Sequence, residues 1–83
     1  MATDIVKKLR EKPNNDELLS LYGLYKQAIL GDNTTEEPGM LSFNKKYKWA
    51  SWNSNKGKSK EKAEYEYIIL VNQLIKKYKI KKN

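Results

Sequence analysis

Apolar side chains recur every three or four residues along most of the chain, and this spacing predicts helices. The first predicted helix is short. It is capped at Thr3-Asp4, carries Ile5, Val6 and Leu9 at a helical interval, and ends at Lys12 because proline follows. A helix of this length is marginal alone, so packing against the other elements must hold it.

The second predicted helix carries the first long apolar stripe. We expect Asn15 to cap its start and Gly31 to end it, since these residue types favour the two ends of helices. Gly23 lies inside the helix, where it costs about 1 kcal/mol relative to alanine but allows a neighbouring element to approach closely. The stripe consists of Leu18, Leu21, Tyr22, Tyr25, Ala28 and Ile29.

Residues 31–44 are rich in glycine, asparagine, aspartate and proline, which predicts a long loop rather than a helix. Loops of this length are usually either functional or disordered. Three apolar side chains, Met40, Leu41 and Phe43, are expected to be buried and to pin the segment, so we predict that the loop is ordered.

Two further helices are predicted beyond the loop. The third runs from Lys45 to Asn55, and the fourth is capped by Ser59 with Glu61 in its first turn. The apolar side of the third comprises Tyr47, Trp49, Ala50 and Trp52, and that of the fourth comprises Ala63, Tyr67, Ile68, Val71, Leu74, Ile75 and Tyr78. No segment alternates as a strand would. The sequence therefore predicts an all-α four-helix bundle with a long ordered loop between helices 2 and 3, forming one domain over residues 1–83.

Composition restricts the chemistry. The 83 residues include no cysteine and no histidine, and the formal net charge is +7. Without cysteine neither a disulfide nor a thiolate metal site can form, and without histidine the commonest general base and zinc ligand are missing. We therefore predict no enzyme, no metal site and no cofactor. The basic balance permits a polyphosphate ligand, a nucleic acid or an anionic membrane surface.

Nothing in the chain predicts a secretory signal or a membrane span. The first dozen residues are mostly charged or polar, and no apolar run approaches the roughly 20 residues that a spanning helix needs. We expect a cytosolic protein.

A group of aromatic and basic residues is the candidate for ligand binding. Tyr22 and Lys26 are four residues apart, so they lie on one face of a helix, and Tyr25 lies beside them. Lys48 precedes Trp49 on the next helix. An ammonium group suits a phosphate and an aromatic face suits a purine. Taken from the residues alone, core packing is as good an explanation for Tyr22 and Tyr25 and a better one for Trp49. Single lysines such as Lys26 and Lys48 are more often solvated surface residues than site residues.

A set of motifs, in order and without a gap, resembles the sequences of the acyl-CoA-binding protein family, also known as the diazepam-binding-inhibitor-like family. The resemblance extends from about Lys7 to Tyr78. It rests on Leu21-Tyr22, Tyr25-Lys26-Gln27-Ala28, Gly31-Asp32, Pro38-Gly39-Met40, Lys48-Trp49-x-x-Trp52-Asn53, Lys56-Gly57, Ser59-Lys60-Glu61 and Ala63-x-x-x-Tyr67-Ile68.

The resemblance implies a four-helix bowl that binds a long-chain acyl-CoA thioester. It implies that the 3'-phosphate of the CoA head meets Tyr22, Lys26 and Lys48. By the same resemblance the adenine stacks on Tyr25 and Tyr67 closes the site. The remaining implied contacts are Lys7 beside the ligand, and Leu18 and Leu19 along the acyl chain.

The function implied is that of an intracellular acyl-CoA carrier and pool former. Such a protein is expected to be a monomer that contacts acyl-CoA-using enzymes or membranes transiently and binds no nucleic acid.

A basic helical module for RNA or anionic membranes is the alternative. Its motivation is a run of lysines together with the lysine-rich tail, and it predicts that binding falls steeply with salt. No motif of aromatic strands for RNA is visible. The lysines are Lys45, Lys46, Lys48, Lys56, Lys58, Lys60 and Lys62.

Overall fold

The computed structural model describes residues 9–79, and these residues form an all-α structure. It contains α1 (Asn15–Leu30), α2 (Phe43–Asn53) and α3 (Lys60–Tyr78). The all-α prediction is confirmed. The first predicted helix lies mostly outside the described residues, and its last residues, 9–12, are not helical. Leu9 is instead buried in the core, and the backbone N–H of Arg10 donates to the carbonyl of Lys79 at 2.8 Å.

Helix α1 begins one residue earlier than expected, because Asn14 rather than Asn15 is the cap. The Asn14 side chain accepts from the backbone N–H of Glu17 at 2.8 Å, and the Glu17 carboxylate accepts from the backbone N–H of Asn14 at 2.9 Å. This reciprocal capping box satisfies two backbone donors at the helix start. Gly31 ends the helix as predicted, with a φ of 80° that glycine adopts without strain.

Helix α1 packs against both other helices. Its contact with α2 is close at Gly23, where a Cβ atom would lie 2.5 Å from the backbone oxygen of Ser51. The prediction that Gly23 admits a neighbour is therefore confirmed. The hydroxyl of Ser51 donates to the carbonyl of Leu19 at the same crossing. The core lies on the side of α1 that meets α3 and comprises Leu9, Leu21, Leu24, Tyr67, Val71 and Leu74.

The loop between α1 and α2 is held differently from the prediction. Met40, Leu41 and Phe43 are exposed, so the expectation that they pin the loop is wrong. Asn33 is the buried residue, and its side-chain oxygen accepts from the N–H of Thr35 at 2.9 Å. Local hydrogen bonds of this kind fix a turn without needing apolar burial.

Two indole N–H groups complete the attachment of the loop. Trp49 donates to the carbonyl of Thr35 at 3.1 Å, and Trp52 donates to the carbonyl of Gly31 at 2.8 Å. Of the apolar side predicted for this helix, Trp52 is buried and Trp49 is half-buried, whereas Tyr47 and Ala50 are exposed. Polar contacts of α2, more than its apolar stripe, therefore tie the loop down.

The second half of the chain follows the prediction closely. Helix α2 begins at Phe43 rather than Lys45, while α3 begins after Ser59, whose hydroxyl accepts from the N–H of Lys62 at 3.1 Å. Most of the predicted stripe of α3 faces the core, although Ile68 is half exposed. None of the helices within residues 9–79 is both long and apolar enough to cross a membrane.

Candidate functional site

Two ammonium groups from different helices approach the ring of Tyr22. The Nζ atom of Lys26 lies 5.8 Å from the ring centroid, and the Nζ atom of Lys48 lies 5.6 Å from it. Lys26 also lies 5.5 Å from the Trp52 ring. The i, i+4 spacing brings Lys26 to Tyr22 along α1, and the close crossing of α1 and α2 at Gly23 brings Lys48 to the same ring. The structure thus brings together three of the candidate residues.

The positive charge at this point has no carboxylate partner in the part of the chain that the structure describes. Neither Lys26 nor Lys48 forms an ion pair among residues 9–79, whereas Lys46, Lys58 and Lys77 do. Both ammonium groups lie within 5.8 Å of one ring centroid, so an anion beside that ring is attracted by both. The arrangement therefore suits an anion, and a phosphate group fits two ammonium groups and a phenol hydroxyl.

An open cleft of about 650 Å³ lies between α1 and α2 and reaches the Tyr22 ring, but Lys26 does not line it. Tyr22 and Lys48 line it, and so do Leu18 and Leu19, the residues predicted to contact an acyl chain. The cleft therefore combines a cationic, aromatic part with an apolar part. Its other lining residues are Asn15, Asp16, Asn44 and Tyr47.

These four additional residues were not predicted from the sequence to belong to a binding site. A signal for two of them existed, because Asn15 and Asp16 stand three residues before Leu18 and Leu19 and so share their face of α1. Asn44 and Tyr47 were harder to find. Phe43 and Tyr47 were expected to be buried, which would have directed the start of α2 towards the core and away from a ligand. In the structure both side chains are exposed.

Tyr25 and Tyr67 form a second aromatic pair and do not line the cleft. Their ring centroids are 6.2 Å apart at an interplanar angle of 46°. Tyr67 is buried in the core and Tyr25 packs against it half-buried. The Tyr67 hydroxyl has no hydrogen-bond partner among the described residues. Burial, with a smaller effect of Tyr25, raises the pKa of Tyr67, so its hydroxyl stays protonated and able to donate at neutral pH.

The remaining candidate, Lys7, lies outside the described residues. Within residues 9–79 no group of acidic side chains is placed to hold a metal ion.

A helical protein whose cleft places a tyrosine and a lysine beside leucine side chains has the features that suit an amphipathic anion. The sequence model of the family described as "Acyl CoA binding protein" matches residues 1–71. The chain therefore belongs to the acyl-CoA-binding protein family. Because this family consists of carriers rather than enzymes, the prediction that the chain is not an enzyme is confirmed.

Relatives at high identity agree with the assignment. The chain is 58% identical to acyl-CoA-binding protein of Saccharomyces cerevisiae over 73 residues, which is 88% of this chain and 84% of that protein. It is 49% identical to acyl-CoA-binding protein homolog 1 of Caenorhabditis elegans over 77 residues, covering 93% of this chain and 90% of that protein.

A solved structure has the same fold. The crystal structure of Oryza sativa acyl-CoA-binding protein 2 superposes with a TM-score of 0.85 at 42% identity, covering 92% of this chain and 83% of that one. The solution structure of acyl-CoA-binding protein from Babesia bovis gives a TM-score of 0.75 at 37% identity, with 93% of this chain and 89% of that one covered.

Proposed function

We propose that this protein binds long-chain fatty acyl-CoA thioesters and acts as an intracellular acyl-CoA carrier and pool former. The observation that carries the proposal is the approach of Lys26 and Lys48 to the ring of Tyr22, which lines a cleft together with Leu18 and Leu19. An acyl-CoA needs both parts, because it joins a nucleotide with several phosphate charges to a long apolar chain.

In this proposal the 3'-phosphate of CoA binds to Tyr22, Lys26 and Lys48. The two ammonium groups supply charge-assisted hydrogen bonds, each worth about 1.5–3 kcal/mol. The adenine stacks on Tyr25, and Tyr67, whose ring packs against Tyr25, closes the site from beneath it. Lys7 adds a further contact at the edge of the site.

The acyl chain lies over Leu18 and Leu19. Burying a methylene is worth about 0.8 kcal/mol, so hiding some ten of them contributes about 8 kcal/mol. Association costs about 4–15 kcal/mol, a range that begins below the apolar contribution and extends well above it. The phosphate and stacking contacts are then needed for tight binding, and affinity is expected to rise with chain length.

The other expectations complete the proposal. Residues 1–83 form a single acyl-CoA-binding domain of the four-helix-bundle type. The protein acts as a cytosolic monomer with no cofactor and no nucleic-acid partner, and it meets acyl-CoA-using enzymes or membranes transiently.

Titration calorimetry tests the assignment with three ligands of one chain length: palmitoyl-CoA, its 3'-dephospho form and free palmitate. We expect palmitoyl-CoA to bind tightest, the dephospho ester to lose roughly tenfold or more, and palmitate to bind weakest. Equal affinity for the two esters would contradict the proposal that the 3'-phosphate binds at Tyr22. Equal affinity for palmitate would overturn acyl-CoA as the ligand.

A further inference from the structure

Four apolar side chains at the start of α2 are exposed to solvent. The exposed fractions are 78% for Met40, 96% for Leu41, 64% for Phe43 and 59% for Tyr47. We call these four residues the apolar rim. Single exposed apolar residues are normal, but a group of large ones on one surface usually marks an interaction site.

The backbone holds the rim residues at one place. The N–H of Ser42 donates to the carbonyl of Gly39 at 3.0 Å, which makes Met40 and Leu41 the two central residues of a tight turn. Leu41 and Phe43 border the same shallow depression, and Tyr47 follows Phe43 by one helical turn. The rim is therefore a projecting turn followed by one face of the first turns of α2.

Lysines lie beside the apolar rim on α2. Lys45 borders the same depression as Leu41, and Lys46 and Lys48 follow on α2. Lys46 pairs with Glu37 at 3.4 Å, but both side chains are substantially exposed, so water and salt weaken that pair. Lys45 and Lys48 form no ion pair within residues 9–79. Glu36 and Glu37 precede the rim and are outnumbered by Lys45, Lys46 and Lys48, so the local charge available to a partner is positive by one.

We propose that the apolar rim is the surface by which this protein docks on an anionic lipid membrane. Exposed leucine, methionine and phenylalanine enter the boundary between headgroups and acyl chains, while neighbouring lysines attract the negative surface. The proposal rests on the transient membrane contact of the proposed function and names its surface and lipid charge, but it does not depend on acyl-CoA binding. Tyr47 and Lys48 belong also to the lining of the cleft, so docking would place the cleft beside the lipid surface.

Two other occupants fit the same surface less well. A symmetric dimer through the rim would bring Lys45 and Lys48 of one copy close to those of the other, and like charges would oppose it. A nucleic acid would use the cations, but Met40 and Leu41, the most exposed rim residues, offer it neither charge nor an aromatic face for stacking.

Sedimentation with lipid vesicles tests the proposal on the full chain without ligand. We expect the protein to bind vesicles of phosphatidylcholine mixed with phosphatidylserine and to bind phosphatidylcholine alone much more weakly. Binding should fall as salt is raised. The variant carrying Met40→Ser and Leu41→Ser should lose about tenfold or more in partitioning.

Matched controls are available. Ile29→Ser with Leu30→Ser removes two apolar side chains that are 50% and 55% exposed on α1, and this variant should bind vesicles as the parent does. Lys45→Gln should weaken binding, whereas Lys62→Gln on α3 removes the same charge elsewhere and should weaken it less. Circular dichroism checks that each variant is folded.

Three results would overturn the proposal: no binding to the acidic vesicles, equal loss from the rim variant and its control on α1, or a concentration-dependent dimer that the rim variant abolishes. Titration of the rim variant with palmitoyl-CoA separates docking from ligand binding, because Met40 and Leu41 do not line the cleft. We expect its affinity for palmitoyl-CoA to equal that of the parent.

Discussion

The Nζ atom of Lys48, on α2, lies 5.6 Å from the centroid of the Tyr22 ring, on α1. This contact links the two helices where both residues line the cleft, and Lys26 brings a second cation to the same ring. An aromatic face attracts a cation, but it does not neutralise the repulsion between two of them. A bound anion would do so, and this relationship is the basis of the first prediction.

Removing either cation should weaken ligand binding while leaving the fold intact. Lys26→Ala and Lys48→Ala should each reduce affinity for palmitoyl-CoA by about 1.5–3 kcal/mol, or roughly tenfold to a hundredfold. Titration calorimetry measures the loss, and Lys62→Ala, an exposed lysine on α3, is the matched control. An unchanged dissociation constant in both site variants would contradict the assignment.

Tyr67→Phe should separate a structural from a binding role of the hydroxyl. Since the buried Tyr67 hydroxyl has no hydrogen-bond partner among residues 9–79, its removal should leave the free energy of unfolding unchanged or slightly higher. Affinity for palmitoyl-CoA should fall if the hydroxyl donates to the ligand. Urea denaturation and calorimetry on the same variant give the two values. Loss of stability without loss of affinity would remove Tyr67 from the proposed site.

Gly23→Ala should destabilise the protein. The added Cβ would lie 2.5 Å from the Ser51 carbonyl oxygen, and a backbone atom at a helix crossing cannot move aside cheaply. Overpacking should outweigh the gain in helix propensity and lower the free energy of unfolding by on the order of 1–2 kcal/mol. Gly39→Ala is the control, because a Cβ there meets nothing within 4 Å. Equal stability of the two variants in urea would argue against the close crossing.

Asn33→Ala should loosen the loop. Its side chain is buried and accepts from the N–H and the hydroxyl of Thr35 at 2.9 and 2.6 Å. Leaving those donors without their acceptor should cost about 1–3 kcal/mol in urea denaturation. The neighbouring Thr34 is exposed, so Thr34→Ala should change stability little. A similar small change for Asn33→Ala would mean that the indole contacts suffice to hold the loop.

Acid should weaken the attachment of α1 to the end of α3. The Tyr78 hydroxyl, then the Asn14 N–H and Lys77, hold the pKa of Glu17 below its ordinary value near 4.5. A lowered pKa in the folded state means that the ionised carboxylate stabilises the fold above that ordinary value. The stabilisation is then lost as the pH falls through the folded-state pKa.

The measurement is the free energy of unfolding against pH for the parent and Glu17→Gln. The variant should be less stable than the parent at neutral pH, and the difference should shrink as the pH falls below about 4.5. Glu64→Gln, at an exposed position on α3, should show little difference at any pH. A gap for Glu17→Gln that stays constant into acid would exclude the carboxylate charge as its cause.

Much of the fold could be predicted because its determinants are local. Gly31 and Ser59 end and begin helices through their own backbone and side-chain chemistry, and both act as expected. The spacing of apolar residues in α3 likewise predicted most of the side chains that this helix buries. The cap of α1 was misplaced by one residue, because Asn14 and Asn15 are equivalent as residue types and only the bond to Glu17 distinguishes them.

The loop was predicted for the wrong reason. Apolar character suggested that Met40 and Leu41 are buried, but no hydrophobicity pattern says which element would cover them. The contacts that hold the segment join Asn33 and Thr35 to residues of α2, and such long-range polar bonds leave no periodic trace in the sequence. The meeting of Tyr22 with Lys48 is of the same kind, because it depends on how two helices cross.

Helix α1 contributes opposite sides to two different tasks. Leu21 and Leu24 belong to the core shared with α3, while Leu19 and Tyr22 open onto the cleft shared with α2. In the proposed function, substitutions along the second side would change how the acyl chain is held without altering the residues that keep the protein folded. Binding and folding can therefore vary independently along a single helix.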